Sequence, residues 1–263
     1  KLMKLSYTNH SITLLLILFT LSSVSLIYSQ NDSSDFFLSP NSIEIGDFNE
    51  LKVYSGIIVN LIPSDENRLE IYGDRYGGII AKEKGNTLKI KMRLSELIHY
   101  NNAYVDLYYK RELNSIKLHQ GARVDSKRPL KNNKMVIKVH EGASFKGEIK
   151  AMQLISRART GGSITLYGKV KEHQLRISSG GICEAEDLIT EYSDVKIFTG
   201  GNADIYSENN IDAQVSMGGE IRIIGNPKKV YARRTIAGEI YRGNSFTRGN
   251  KRHYRFRTNK NYN

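Results

Sequence analysis

Hydrophobic residues in the middle of the chain recur at fixed distances from a small-residue doublet. The doublet stands at Gly121-Ala122, Gly142-Ala143, Gly161-Gly162, Gly180-Gly181, Gly200-Gly201 and Gly218-Gly219, with a degenerate copy at Ala237-Gly238. Successive spacings are 21, 19, 19, 20, 18 and 19 residues, too short for helical-hairpin repeats or propeller blades. At three and five residues before and after the first glycine of the six full copies, 21 of 24 positions are hydrophobic. The exceptions, Ser126, Gly147 and Ser156, are small. A step of two on either side of a bend is strand periodicity, so each copy predicts strand, glycine corner, strand. One such unit cannot close a core, whereas stacked units can. Parallel stacking places equivalent positions in columns about 4.8 Å apart, with the apolar columns as a continuous interior. Leu130, Val170, Leu188 and Ile211 supply apolar residues for a return limb between copies.

The fold class expected is therefore all-β: a single-domain parallel β-solenoid, right-handed and β-helix-like, of about six to seven coils of 18–21 residues. A β-rich N-terminal cap precedes it. Leu51, Val53, Val59 and Leu61 bear the same offsets from Gly56, and residues 43–110 contain further strand-like runs. At the other end Arg234 and Arg242 replace apolar residues around Ala237, which would blunt the last exposed edge. The doublet is expected to supply positive φ where the chain turns.

The ends of the chain read differently. Residues 1–29 read as a signal peptide, with Lys1 and Lys4 ahead of the apolar Ile12–Leu21 stretch and cleavage after Ser29. An uncleaved anchor across 12–28 is the alternative. Residues 30–42 read as a flexible lead-in, 43–241 as the solenoid domain and 242–263 as a basic disordered tail. The net charge of +12 is concentrated at these ends: +2 lies in residues 1–30 and +7 in residues 242–263. The folded part is nearly neutral, which removes the nucleic-acid signal carried by the total charge. A single cysteine, Cys183, excludes an intramolecular disulfide framework and a cysteine-rich zinc site, and it falls in an inward apolar column.

The opening FNELKVYSGIIVNLIPSDENRLEIYGD (Phe48–Asp74), then GNTLKIKM (Gly85–Met92), the regular corners and the terminal GNPKKV (Gly225–Val230) resemble the putative auto-transporter adhesin head GIN domain family. The likeness covers roughly 44–241. It implies an exported, non-enzymatic β-solenoid of the Gram-negative envelope, with no catalytic residues to carry over. The expected location is the periplasm, the outer-membrane surface or the extracellular space.

Outward positions carry the candidate chemistry. Lys117, Lys138, Arg157, Arg176 and Lys196 stand four residues before successive glycines, and Arg159 stands two before its own. Stacked, these six residues form a basic ridge suited to an anionic polysaccharide or another envelope polymer; ordinary polar strand exteriors are the alternative. A protein partner is a further class, and no cofactor motif is present. His119 and His140 would stack in the same region, without a third ligand for a metal. Tyr104, Tyr108 and Tyr109 suggest a sugar-stacking patch. A polysaccharide lyase or hydrolase is the competing reading, with Glu184, Glu186 and Asp187 as the nearest acidic cluster.

Overall fold

The computed structural model describes residues 41–72, 78–96, 103–243 and 252–253. The signal segment 1–29, the possible anchor 12–28, most of the lead-in and most of the basic tail lie outside the described residues. Among the described residues no helix is long and apolar enough to cross a membrane.

All strands join one sheet that winds around a single apolar interior. The long strands β9 (Arg123–His140), β10 (Ser144–Arg159), β11 (Ser163–Ser178) and β12 (Gly181–Thr199) pair in parallel, followed by β13 (Gly201–Tyr206), β14 (Asn210–Ile224) and β15 (Lys229–Arg242). Equivalent residues fall directly opposite one another: Ile116 on Ile137, Ser156 and Leu175, and Val124 on Phe145, Ile164 and Cys183. Apart from Ser156 these are apolar, and all are at most 1% exposed. Burying each large aliphatic side chain in such a column contributes about 1.5–3 kcal/mol. The all-β parallel solenoid read from the glycine spacing is borne out, and Leu130, Val170, Leu188 and Ile211 are all buried in it.

The exceptions in the apolar columns have specific causes. Ser156 is fully buried because His173, from the next turn, places Nε2 3.1 Å from its hydroxyl. Ser126 donates to the Arg128 carbonyl at 2.7 Å, fixing a turn. Gly147 makes room for Phe145, whose ring would sit 3.0 Å from an added Cβ.

The corners differ in one respect from the expectation. In four corners the left-handed pair is the residue before the doublet together with its first glycine, as with Glu141 at φ 57° and Gly142 at 70° or Thr160 at 49° and Gly161 at 71°, and Ser55-Gly56 repeats the geometry outside the doublets. Where the second doublet residue is glycine, as at Gly162 and Gly181, it serves close approach instead. A Cβ on Gly162 would lie 2.5 Å from the Val139 carbonyl oxygen, which belongs to the neighbouring turn. Only at Gly200-Gly201 and Gly218-Gly219 are both doublet residues at positive φ.

The N-terminal part is an integral piece of the stack. β2 (Glu50–Val53) and β3 (Ile58–Pro63) pair in parallel with β8 (Ser115–Leu118) and β9, so this turn lies directly on the first full repeat. β6 (Thr87–Met92) and β7 (Tyr104–Tyr109), later in sequence, add the turn beyond it. β5 (Ile79–Lys84) closes β6 antiparallel; β4 (Arg68–Tyr72) closes β7, with β1 (Asn41–Glu44) outside it. At the other end β16 (Arg252–His253) pairs antiparallel with Tyr241 and Arg242.

Gly162→Ala should lower stability by about 1–3 kcal/mol, read from the urea midpoint, because the intruding Cβ meets backbone that cannot move aside cheaply. Buried His173 is held neutral, its pKa pushed down to about 4 by desolvation. The unfolded chain titrates it near 6.5, so between pH 6.5 and 4 the unfolded state binds more protons. This group's contribution is complete above pH 6.5 and is lost as the pH falls through that window. Wild type should lose about 2 kcal/mol more than His173→Gln between pH 7 and pH 5 in urea titrations.

Candidate functional site

The strand segments preceding each corner form a flat face whose outward columns are set by the pairing register. Lys117, Lys138, Arg157, Arg176 and Lys196 occupy one ladder, each directly opposite the next. Arg159 stands in the adjoining outward column, between His140 and Ser178. The ladder also extends beyond the residues read from the repeat. Lys52 lies opposite Lys117, Lys89 opposite Lys52, and Lys82 opposite Lys89, so eight successive rungs carry a cation. Beyond Gln214 the column resumes with Arg233. Lys52 was within reach of sequence reasoning, since it sits between Leu51 and Val53 at the ladder's offset from Gly56.

A second column on this face, two residues earlier, supplies carboxylates the repeat reading did not weigh. Asp194 binds Arg176 at 2.5 Å and lies 3.8 Å from Lys196; Glu50 holds Lys117 at 3.2 Å; Asp212 holds Arg233 at 2.8 Å. At the corresponding position beside Lys138 and Arg157 stand Val136 and Ile155, which offer no counter-charge. Lys138, Arg157 and Arg159 therefore make no ion pair among the described residues, and Arg157 Nε is buried without an acceptor. The positive field registers on their neighbours. Burial, then Arg157, Lys117 and Arg159, hold the Lys138 amine below the usual lysine range, against a smaller opposing pull from Glu50. Burial, then His119 and Arg159, hold His140 below the usual histidine value.

Tyr54, His119 and His140 stack as an aromatic ladder beside these cations, with ring centroids 4.9 and 5.1 Å apart. No cluster of three or more His, Cys, Asp or Glu able to hold a metal occurs among the described residues. Cys183 is buried, and desolvation pushes its thiol up.

Two sequence readings change. The tyrosines do not form one patch: Tyr109 points inward and is buried, while Tyr108 donates to Glu70 at 3.2 Å with its ring under Arg68 at 4.2 Å. The acidic cluster lies on the other side of the corner, away from the basic ladder, and two of its three members are tied to structural partners, while Asp187 is exposed. Glu186 and Asp204 both bind Arg222, at 2.8 and 2.6 Å, and Glu184 accepts from Thr165 at 3.2 Å.

A stack of in-register parallel turns with a flat, repeating basic outer face defines a β-solenoid organised around an extended surface. The chain belongs to the family described as putative auto-transporter adhesin, head GIN domain, whose model matches residues 47–227. That agrees with the resemblance read from Phe48–Asp74 and the glycine corners. A crystal structure of a putative adhesin from Bacteroides fragilis NCTC 9343 is similar at TM-score 0.69 and 19% identity, covering 77% of this chain and 95% of its own. A putative adhesin from Parabacteroides distasonis ATCC 8503 aligns at TM-score 0.64 and 22% identity, covering 78% and 96%. A putative lipid binding protein from the same strain aligns at TM-score 0.57 and 19% identity, covering 78% and 97%. At these identities the likeness establishes the fold. No functionally curated protein matches the chain.

Replacing Arg159 with Gln should raise the His140 pKa toward its ordinary value, because one of the cations opposing its protonation is gone. The imidazole resonances of His140, followed by NMR against pH, read this directly; an unmoved titration would separate Arg159 from the site.

Proposed function

We propose that this chain is an exported, non-enzymatic, adhesin-like module of the bacterial envelope that holds a linear anionic polymer along its flat basic face. The observation that carries the reading is a contrast between neighbouring cations on one face. Arg176, Lys196, Lys117 and Arg233 are matched by carboxylates, whereas the adjacent Lys138, Arg157 and Arg159 have none. Like charges on neighbouring rungs repel by tenths of a kcal/mol each and gain from a shared counter-anion. A polymer laid along the stack meets one cation per rung, about every 4.8 Å. Family membership supports the adhesin-like role, and the positive flank and short apolar core of residues 1–29 support export. The lyase alternative gains nothing from Glu186 and Glu184, which serve Arg222 and Thr165 on the other side of the corner.

The triple variant Lys138→Gln, Arg157→Gln, Arg159→Gln should bind a polygalacturonate matrix about tenfold more weakly and elute at lower salt than wild type. Arg176→Gln, which removes an already matched cation, should change retention little. Equal retention of the triple variant and wild type would overturn the flat face as the binding surface.

A further inference from the structure

A third side of the solenoid joins the two strand faces, formed by the middle residues of β9, β10 and β11. Here Lys131 pairs with Lys150 and Lys150 with Lys169, giving a separate basic rail that the corner-based repeat does not reveal. The next position in the column is Ile189, so the rail ends after three rungs. At its start lies a cleft of ≈ 770 Å³, between the segment around Ser64, Tyr109 and Leu113 and the turn at Arg128–Leu130. A second hollow of ≈ 830 Å³ shares Lys131 and Lys150 with it and continues past Lys169. The volumes fall in the range of ligand sites, and both hollows open to solvent.

We propose that this cleft and rail form a second binding site, independent of the flat face, for a short carboxylated oligosaccharide: the cleft seats one end, and Lys131, Lys150 and Lys169 meet successive carboxylates.

The seat is held in shape without a ligand. The Ser64 amide donates to the Tyr109 carbonyl at 2.9 Å, and Asn132 Nδ2 donates to the Leu113 carbonyl at 3.1 Å. Ser126 fixes the opposite turn through the Arg128 carbonyl at 2.7 Å. Buried Tyr109, Leu113 and Leu130 give it an apolar floor.

The charge balance is strongly positive. Lys110, Lys127 and Arg128 join Lys131 and Lys150 in lining the cleft, against Asp106 and Glu112. Asp106 already accepts from Asn60 at 2.8 Å. Glu148 neutralises part of Lys150 at 2.8 Å, leaving Lys131 and Lys169 without an ion pair among the described residues.

The choice of ligand follows from spacing and residue type. Lysines act as rotatable point charges, so they demand charge at the right interval more than one fixed orientation. The rung spacing is about 4.8 Å. A carboxylated sugar chain carries one charge per ring, closer to that interval than polyphosphate, whose charges sit on adjoining tetrahedra. An apolar floor also suits the carbon face of a sugar ring.

Trigalacturonate, titrated calorimetrically at low salt into the full chain, tests the proposal, with neutral galactotriose and tripolyphosphate as parallel probes. Lys131→Gln, Lys150→Gln, Lys169→Gln together should weaken trigalacturonate binding at least tenfold, and the flat-face triple variant less than twofold. Galactotriose should not bind, and tripolyphosphate should bind more weakly than trigalacturonate. Amide shifts of wild type should move at Lys131, Lys150 and Tyr109, a readout that does not depend on any variant folding. Absent trigalacturonate binding, equal loss in both triples, shifts confined to Lys138, Arg157 and Arg159, or tighter tripolyphosphate binding would each overturn the proposal. Long-polymer retention by the flat face is measured separately, so either site can fail while the other stands.

Discussion

Every feature of this molecule depends on the in-register parallel pairing of successive turns. Once Ile116, Ile137, Ser156 and Leu175 are locked opposite one another by backbone hydrogen bonds, the residues between them are locked as well. The interior gains from this, because like stacks on like and apolar columns close without gaps. The exterior has no such freedom: an outward cation must sit beside whatever the neighbouring turn places there. Ser156 shows how strict the constraint is, since a polar residue in an inward column is tolerated only with His173 beside it.

The same register explains how charge is distributed. Asp194 reaches Arg176 and Lys196 because it lies one outward step from both rungs. Where Val136 and Ile155 occupy that step, Lys138 and Arg157 are left without a counter-ion. Repulsion among the unmatched cations amounts to tenths of a kcal/mol per pair, far less than a buried aliphatic column contributes, so the fold sustains it. The strain is local and electrostatic, and the proposed anion would relieve it.

The chain's sequence displayed the repeat well because corners and apolar columns are both periodic. Two features escaped for physical reasons. Chain order and stacking order diverge at the N-terminal end: β2 and β3 lie between β6–β7 and β8–β9, and no local pattern encodes a long-range insertion of that kind. The carboxylates that match the ladder were also missed, since Glu50, Asp194 and Asp212 share a column only at some turns, amid Ser115, Val136 and Ile155. Lys52, by contrast, stood at a readable offset. The corner geometry was half visible: glycine signalled positive φ, but its preceding partner is Gln120, Glu141, Thr160 or Ser179, residues that carry no common sequence mark.

The third side was the least readable, because part of the length variation between corners falls on it. Spacing between corners varies from 18 to 21 residues. Register slips fall there between Gly147 and Ile149 and between Thr165 and Tyr167, and also at the Gly218-Gly219 corner, between Val215 and Glu220. A slip displaces side chains from their columns and opens space between turns, whereas strict register fills it. On the proposed reading, a face with one charge per rung would suit a long polymer that matches the repeat, and the third side a compact ligand that fits a single place. Both arise from the same solenoid, because the register that stacks the interior also sets which cations stand in line outside it.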